Sequence, residues 1–420
     1  MNKKNSNFGK FMLLWSGELV SSIGGGLTSF GLGVYVFNQT GSAAQMALIT
    51  LLGFLPTFLF SVPAGVLADR YDRRILMMIG DGFSAFGILY ILICMMQGPV
   101  AIWQIGIGVF VSASFQALLA PAYQATITDL LTKEEYSRAS GLVNIAASSR
   151  YLISPMIAGF LLTVSDVKLL MIIDICTFFL TVTSTLVVKK GIATKKTEEK
   201  ETFGESLKNG WRAIHDRRGV FVLILVSSAI TLFMGVFQIL AEPMVLAFSD
   251  AKTLGVTETI CASGMLVSSI FLGIRGIKKN YVRVLSLSLM MAGVAIFGFG
   301  MWENILPMAI SGFGFFLMLP FANNCLDYLV RTNIPDELQG RAWGLIGFLS
   351  QIGYVIAFGA SGLLSDFLGK TFDIGVGRGA ALVVQGSGVC LFLIALVLLR
   401  LKSVRETEHP SLDHSPEEVE

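Results

Sequence analysis

The chain has 420 residues, of which 54% are hydrophobic and only 14% are charged, and its mean hydropathy is +0.70. Soluble domains have about 45–50% apolar and about 25% charged residues, so this composition excludes a water-soluble architecture. The formal net charge of +2 gives no argument for binding nucleic acid or another strongly charged partner.

Twelve apolar stretches follow one another along the chain, each long enough for the ~20 residues that a membrane-spanning helix needs. The first six lie near residues 11–36, 43–68, 75–96, 101–130, 139–163 and 167–188. The second six lie near residues 219–248, 254–274, 282–302, 305–330, 341–365 and 378–400. The first stretch is too long for the apolar region of a signal peptide, so we expect it to remain as a span. The pattern predicts an all-α membrane protein with twelve transmembrane helices in two six-helix bundles.

A long polar segment separates the two sets of spans. The predicted division is an N-terminal bundle over residues 1–188, a cytoplasmic linker over 189–218, a C-terminal bundle over 219–402 and a cytoplasmic tail over 403–420. Within the linker, apolar Leu207, Trp211 and Ile214 recur at helical spacing, which predicts a helix lying in the membrane interface.

Basic residues are concentrated on one predicted side of the membrane. The N-terminus, the linker, the tail and alternate loops together hold 26 of the 31 Lys and Arg residues. Cytoplasmic loops carry the positive excess in membrane proteins, so both termini are expected in the cytoplasm.

An internal repeat relates the two halves at an offset of 203 residues. At this offset Arg138 falls on Arg341, Gly159 falls on Gly362, and Leu131 to Leu142 aligns without a gap with Ile334 to Leu345. Parallel, pseudo-symmetric halves are the simplest interpretation, and such an arrangement places a substrate cavity at the interface of the halves near the midplane.

The loop between the second and third spans carries the most specific motif. It reads Gly65-Val-Leu-Ala-Asp69-Arg70-Tyr-Asp72-Arg73-Arg74. This loop resembles the signature Gly-x-x-x-Asp-Arg-x-Gly-Arg-Arg of the major facilitator superfamily, with Asp72 where glycine is usual. The resemblance implies that the Asp69 carboxylate meets the N-terminus of the eleventh span and closes a cytoplasmic gate; the alternative is that these charges only set topology. The residues assigned to this gate are Gly65, Asp69, Arg70, Arg73, Arg74, Asp81 and Arg341.

A second partial match lies in the fifth span, which reads Arg150-Tyr-Leu-Ile-Ser154-Pro155-Met-Ile-Ala158-Gly159. It is similar to the Gly-x-x-x-Gly-Pro-x-x-Gly-Gly motif of antiporters in this superfamily, with Ser154 and Ala158 in place of two glycines and Arg150 in place of a third. Pro155 is expected to bend the helix, and the small residues allow close helix contact. The alternative is an ordinary kinked membrane helix.

Further stretches resemble the bacterial branch that includes macrolide efflux pumps and the enterobactin exporter. They are the opening Trp15-Ser-Gly-Glu-Leu-Val, the segment Gly53-Phe-Leu-Pro56, and Pro335-Asp-Glu-Leu-Gln-Gly340-Arg341. The resemblance implies proton-driven export of amphiphilic molecules from a bacterial cell. Siderophore or metabolite export, or passive movement of a polar nutrient, remain alternatives. No Arg-x-x-Gln-Gly stretch, which many drug:proton antiporters place in the fourth span, occurs between residues 101 and 130.

Ionisable groups inside spans are costly, about 2.5–3.5 kcal/mol on insertion scales, so each calls for a reason. Glu18 is expected either to carry protons or to bond within the bundle. Asp327 shares a helix face with Asn323 and is expected to line the cavity or to pair with Arg331. Arg150 is expected to pair with a buried acid or to bind an anionic substrate. The residues assigned to proton coupling and the substrate cavity are Glu18, Asp327, Arg150, Asn323, Gln116, Gln238 and Gln351.

Other classes of protein have little support. The three histidines, His215, His409 and His414, lie in polar segments and form no catalytic or metal-binding motif, so neither an enzyme, a cofactor nor a metal site is expected. The expected partners are a small-molecule substrate, protons and the lipid bilayer, and no nucleic acid is expected. The protein is expected to be a monomer in the inner or plasma membrane of a bacterial cell.

Overall fold

The structure is a computed structural model that describes residues 7–132, 135–189, 218–334 and 336–408. The side chains of Asp69 and of residues 336–344 lie outside the described part. The predicted interfacial helix of the linker and the end of the tail, residues 409–420, also lie outside it.

The described residues form helices, which we number in chain order. The N-terminal spans contain α1 (Phe8–Thr40), α2 (Ala43–Arg70), α3 (Arg73–Gln97), α4 (Ile102–Gln116), α5 (Leu119–Leu130), α6 (Tyr136–Leu152), α7 (Ser154–Val164) and α8 (Val167–Lys189). The C-terminal spans are α9 (Arg218–Leu246), α10 (Ala251–Arg275), α11 (Tyr281–Phe299), α12 (Ile305–Asn333), α13 (Asp336–Thr371) and α14 (Gly375–Arg400), followed by the short α15 (Lys402–Arg405). Twelve segments of the described chain are long and apolar enough to cross a membrane, which confirms the predicted fold class.

Two spans are broken, each next to a proline. The fourth span consists of α4 and α5, and Pro121 is the third residue of α5. The fifth span consists of α6 and α7, which are separated at Ile153, with Pro155 in the first turn of α7. Proline has no backbone N–H to continue the helical hydrogen bonds of the preceding turn, and it is tolerated where a new helix begins.

The chain divides by its contacts into two compact units. Unit 1 comprises Met1–Glu199, Gln238–Ile260 and Phe358–Leu382, and unit 2 comprises Lys200–Phe237, Cys261–Ala357 and Val383–Glu420. Unit 1 therefore holds the six N-terminal spans together with parts of α9, α10, α13 and α14. The predicted division into two six-span bundles rests on the order of the spans and on the internal repeat in the sequence, and it stays a prediction.

In unit 1, a row of glycines brings α1 against α8. A Cβ atom added at Gly17 would lie 2.8 Å from the Ser184 Oγ, and one at Gly24 would lie 2.5 Å from the Thr177 Oγ1. One at Gly31 would lie 2.6 Å from the Leu170 Cδ1. Both rows repeat every seven residues and run in opposite directions, so small residues hold the two backbones close along several turns.

In unit 2, aromatic rings and the end of the chain stabilise the packing. The buried ring of Phe237 lies 4.6 Å from that of Phe299 and 5.1 Å from that of Phe315, measured between centroids. The Glu408 Oε1 accepts a hydrogen bond from the Val282 N–H at 3.1 Å, so a residue beyond the last span caps the start of α11.

Candidate functional site

Three carboxyl groups from three helices of unit 1 approach one another. Asp81 on α3 and Asp174 on α8 are each only 1% exposed, and Glu18 on α1 is half-buried. Asp81 lies within electrostatic reach of both Glu18 and Asp174. Gly24 allows this approach, because a Cβ atom there would lie 3.0 Å from the Asp174 Oδ1. The sequence placed Asp81 with the cytoplasmic gate; the structure places its carboxyl within electrostatic reach of Glu18.

Hydroxyl groups surround these carboxyls. Thr28 and Thr177 face Asp174, and Thr181 faces Asp81. The Ser22 hydroxyl donates to the Glu18 Oε1 at 3.5 Å. The Oδ1 atoms of Asp81 and Asp174 and the Oγ1 of Thr28 are buried without a hydrogen-bond partner in the structure. Such atoms are rare in native proteins and call for an explanation.

Arg150 is the cation that acts on this group. It lies on α6, is exposed on unit 1, and is within electrostatic reach of Glu18 and Asp174. Tyr123 on α5 also lies within electrostatic reach of Glu18, and its hydroxyl is buried with no hydrogen-bond partner among the described residues. Both roles expected for Arg150, pairing with a buried acid and binding an anionic substrate, stay predictions.

The remaining cavity candidates are divided between the units. Gln116, half-buried at the end of α4, and Gln238, half-buried on α9, belong to unit 1. Asn323 and Asp327 are both exposed on α12 of unit 2, and Arg331 lies within electrostatic reach of Asp327. Gln351 is exposed on α13 of unit 2. Their role in a cavity stays a prediction.

The signature loop is tied into unit 1 by its basic residues. Asp72, at the position where the superfamily usually has glycine, caps α3 by accepting the Arg74 N–H at 3.0 Å. The Arg73 Nη1 donates to the Asp129 Oδ1 at 2.8 Å and to the Ala125 carbonyl at 3.1 Å, which joins the start of α3 to α5.

The other residues of the signature loop differ in exposure: Arg74 is buried, whereas Arg70 and its neighbour Tyr71 are exposed. No described atom lies within 4 Å of a Cβ added at Gly65. The contact expected between Asp69 and the start of the eleventh span falls on side chains outside the described part.

The motif of the fifth span makes three close contacts. The Ser154 hydroxyl donates to the Ile23 carbonyl of α1 at 3.0 Å. The Pro155 carbonyl lies against Gly255 of α10, and a Cβ atom at Gly159 would lie 2.6 Å from the Ala251 carbonyl oxygen. All of these residues belong to unit 1. The small residues and Pro155 therefore serve close packing of the fifth span against both α1 and α10.

Asp366 of α13 is an acid that the sequence reasoning missed, and it contacts the turn between α1 and α2 in unit 1. The Asp366 carboxylate of α13 accepts hydrogen bonds from the Ser42 hydroxyl at 2.5 Å, the Ala43 N–H at 3.0 Å and the Ala44 N–H at 3.3 Å. A carboxylate at this position satisfies free N–H groups and complements the helix dipole. Asp366 lies just past the predicted end of the eleventh span, where an acid attracts no notice in a hydropathy pattern.

Glu258 is a second residue that the sequence reasoning missed. It is half-buried on α10 and lies within electrostatic reach of Glu242 on α9, whose Oε2 is buried without a hydrogen-bond partner. Glu242 also lies against Gly33 of α1. The free-energy cost of an acid inside a span drew attention to Glu18, and the same argument would have identified Glu258.

The comparisons with known proteins agree with this architecture. The sequence model of the Major Facilitator Superfamily matches residues 14–358. The chain is similar to Macrolide efflux protein A of Streptococcus pyogenes, with 27% identity over 97% of this chain and 100% of that protein. It is also similar to the multidrug efflux pump Tap of Mycobacterium tuberculosis, with 23% identity over 96% of each.

Among solved structures, that of the nucleoside transporter NupG matches with a TM-score of 0.74 at 13% identity, over 93% of this chain and 99% of that one. At this identity the likeness shows the fold alone. The family is shown by the sequence model, which matches most of the chain. The chain therefore belongs to the Major Facilitator Superfamily of multi-pass membrane transporters.

Proposed function

We propose that this transporter exports amphiphilic small molecules of the macrolide type in exchange for protons. The observation that carries the proposal is the full-length similarity to Macrolide efflux protein A. The similarity to a multidrug efflux pump also favours export of amphiphilic molecules over uptake. The mechanism proposed is alternating access, in which two six-span halves rock around a central site.

Acids inside the spans support the proton-coupled part of this proposal. Glu18 is half-buried on α1 with Arg150 in electrostatic reach, so loss of its charge on protonation would change a local ionic interaction. At an acidic side chain of this kind, a transporter can exchange a proton for a cationic or polar part of its cargo. Asp327, Asn323, Gln116, Gln238 and Gln351 are proposed to contact cargo.

The proposed setting is the inner or plasma membrane of a bacterial cell, with both termini in the cytoplasm. The support is the distribution of Lys and Arg between alternate loops. The proposed partners are cargo, protons and lipid, for a monomeric protein without enzymatic activity.

Drug susceptibility with and without expression tests the function directly. In cells that lack other pumps, expression should raise resistance to macrolides such as erythromycin and lower the accumulation of radiolabelled erythromycin. An uncoupler should restore accumulation to the level of cells without the protein. Unchanged resistance across a panel of macrolides and amphiphilic dyes would contradict the proposal.

The variant Glu18→Gln tests the coupling residue. Efflux should fall about tenfold, equivalent to a loss of ~1.4 kcal/mol, because glutamine cannot take up or release a proton. Glu303→Gln is the matched control, since Glu303 lies between α11 and α12 outside the spans. Full efflux by Glu18→Gln would remove Glu18 from the coupling role.

A passive facilitator is the second candidate. The fourth span has no arginine between residues 101 and 130, although many drug:proton antiporters carry one there. Everted vesicles separate the two candidates: an antiporter accumulates erythromycin against its gradient when the vesicles are energised, whereas a facilitator only equalises the concentrations.

A further inference from the structure

We propose that Asp81 and Asp174 form a proton-carrying site inside unit 1, which exchanges protons with Glu18. This inference rests on the proposed proton coupling and deepens it, because it assigns protons to carboxyls within the bundle of N-terminal spans. Three features of the structure carry it: the burial of the two carboxyls, the direction of the hydrogen bonds around them, and their proximity to a third acid.

Burial favours the uncharged form of both aspartates. Each is 1% exposed, and among the described residues neither forms an ion pair. An ionised carboxylate removed from water without a paired cation is very costly, and such a group usually becomes neutral by taking up a proton. A buried carboxyl of this kind therefore holds a proton until its surroundings change.

Two of the neighbouring hydroxyls, those of Thr177 and Thr181, are oriented to accept a hydrogen bond from an acid. The Thr177 Oγ1 donates its hydrogen to the Asp174 backbone carbonyl at 2.7 Å, and the Thr181 Oγ1 donates to the Phe178 carbonyl at 2.9 Å. Their hydrogens are thus engaged, and only oxygen lone pairs remain for the carboxyls. An ionised carboxylate has only acceptors, whereas a protonated one has an O–H to donate. The unpartnered Oδ1 atoms of Asp81 and Asp174 fit the protonated form.

The groups facing these carboxyls allow one proton to be exchanged at a time. An ionised Asp81 is repelled by an ionised Glu18 and by an ionised Asp174. Arg150 acts on Glu18 and Asp174, and Tyr123 lies near Glu18. The helices α4 and α7 carry no titratable side chain, and Arg74 lies on α3 itself, two turns before Asp81.

The proton balance follows from this arrangement. When Glu18 gives its proton to an ionised Asp81, Asp81 becomes neutral inside the bundle and the Glu18 carboxylate is left with Arg150 nearby. A proton on Asp81 can pass in the same way to an ionised Asp174. The reverse transfer returns the proton to Glu18, from which water can take it. No other reactant is required.

The test uses Asp81→Asn and Asp174→Asn, with Asp166→Asn as the matched control. Asp166 lies in the turn before α8, where it is exposed and pairs with Lys168 at 3.6 Å. Infrared spectra of the purified protein in liposomes report the carbonyl stretching band of protonated carboxylic acids. We expect this band at neutral pH in the wild type, a smaller band in each of the two variants, and no change in the control. A wild-type spectrum without the band, or a band unaffected by both variants, would overturn the proposal.

Transport in the same liposomes gives the second readout. Counterflow, in which unlabelled erythromycin exchanges for labelled erythromycin without a proton gradient, should persist in Asp81→Asn and Asp174→Asn. Accumulation driven by an imposed pH gradient should fall about tenfold, a loss of ~1.4 kcal/mol of driving free energy. Full gradient-driven accumulation by both variants would overturn the proposal. If the wild type itself shows no such accumulation, the proposed coupling fails, while the infrared band still decides whether these carboxyls hold protons.

Discussion

At the scale of single residues, the glycines of α1 decide how closely the acids of unit 1 approach one another. Gly24 and Gly25 are neighbours in the sequence but differ in their surroundings. A Cβ atom at Gly24 would lie 2.5 Å from the Thr177 Oγ1, whereas one at Gly25 has nothing within 4 Å. Adjacent glycines in one helix therefore provide a matched pair of variants.

Gly24→Ala should destabilise the protein, because overpacking a tight contact costs about 1–3 kcal/mol. Gly25→Ala should leave stability unchanged or raise it by about 0.5–1 kcal/mol, since alanine loses less backbone entropy in a helix. Thermal unfolding of the purified variants in detergent measures both. Equal melting temperatures for the two variants would show that α1 and α8 do not pack as described.

Among the basic residues of the signature loop, we expect Arg73 to contribute most to the free energy of unfolding. Its guanidinium donates to the Asp129 carboxylate and to the carbonyls of Ala125 and Ala68, so Arg73→Ala removes these hydrogen bonds and the ion pair with Asp129. We expect a loss of about 1–3 kcal/mol in the free energy of unfolding, the range for hydrogen bonds to charged groups. Arg70→Ala, at an exposed position, is the control. A loss as large for Arg70→Ala would point to a general effect of loop charge.

At the scale of helices, the starts of α2 and α10 are stabilised by acids from different places. Asp250 caps α10 from its own chain segment, accepting the Thr253 N–H at 2.8 Å. At α2, Ser42 accepts the Gln45 N–H at 3.2 Å, and the acid comes from α13. A cap supplied by another span makes the start of α2 depend on where α13 lies.

Asp366→Ala should therefore expose the amides of Ala43 and Ala44. Loss of a helix cap costs about 0.5–2 kcal/mol, so deuterium exchange at these amides should rise about tenfold. Asp373→Asn, beyond the end of α13, is the control and should leave the exchange unchanged, since asparagine tolerates the φ of 53° at this position. Slow exchange in Asp366→Ala would mean that Ser42 alone is enough to cap α2.

The hydrogen bonds that Asp250 accepts determine the sign of its effect on how stability depends on pH. The bond from the Thr253 backbone N–H holds the pKa of Asp250 below the usual 3.8. The folded protein thus binds this proton less readily than the unfolded chain, so the stabilisation is complete above the usual pKa and is lost as pH falls through the folded value. Asp250→Asn keeps an uncharged cap. The wild type should melt above this variant at neutral pH, and the difference should vanish in strong acid; a constant difference would contradict the charge effect.

The spans could be predicted from the sequence because each depends on its own residues. Apolar length is a local property, and it places the twelve spans. The break beside Pro121 was not predicted, and Pro243 and Pro320 lie inside unbroken helices, so a proline alone does not place a break. Asp366 acts on a helix 323 residues away in sequence, at Ala43, and Glu258 acts on Glu242 of another span. Which buried acids meet depends on helix rotation and packing, and a hydropathy pattern contains neither.

At the scale of the whole molecule, the repeat offset of 203 residues joins two glycines that make equivalent contacts. Gly159 of the fifth span meets the start of α10, and Gly362 of α13 meets the start of α2. In each case a Cβ atom would lie 2.6 Å from a carbonyl oxygen, that of Ala251 or that of Ala43. Backbone cannot move aside as a side chain can, so neither glycine tolerates a larger residue.

If these two contacts close the same end of a rocking transporter, their variants should act on one step. Gly159→Val and Gly362→Val should each lower erythromycin efflux roughly 5- to 150-fold, corresponding to ~1–3 kcal/mol. The double variant should lose less than the product of the two, because sites that act on a shared step are not additive. Gly359→Val, with nothing within 4 Å of its Cβ position, is the control. Fully multiplicative losses would mean that the paired glycines serve separate steps, and that the repeat in sequence is not a repeat in function.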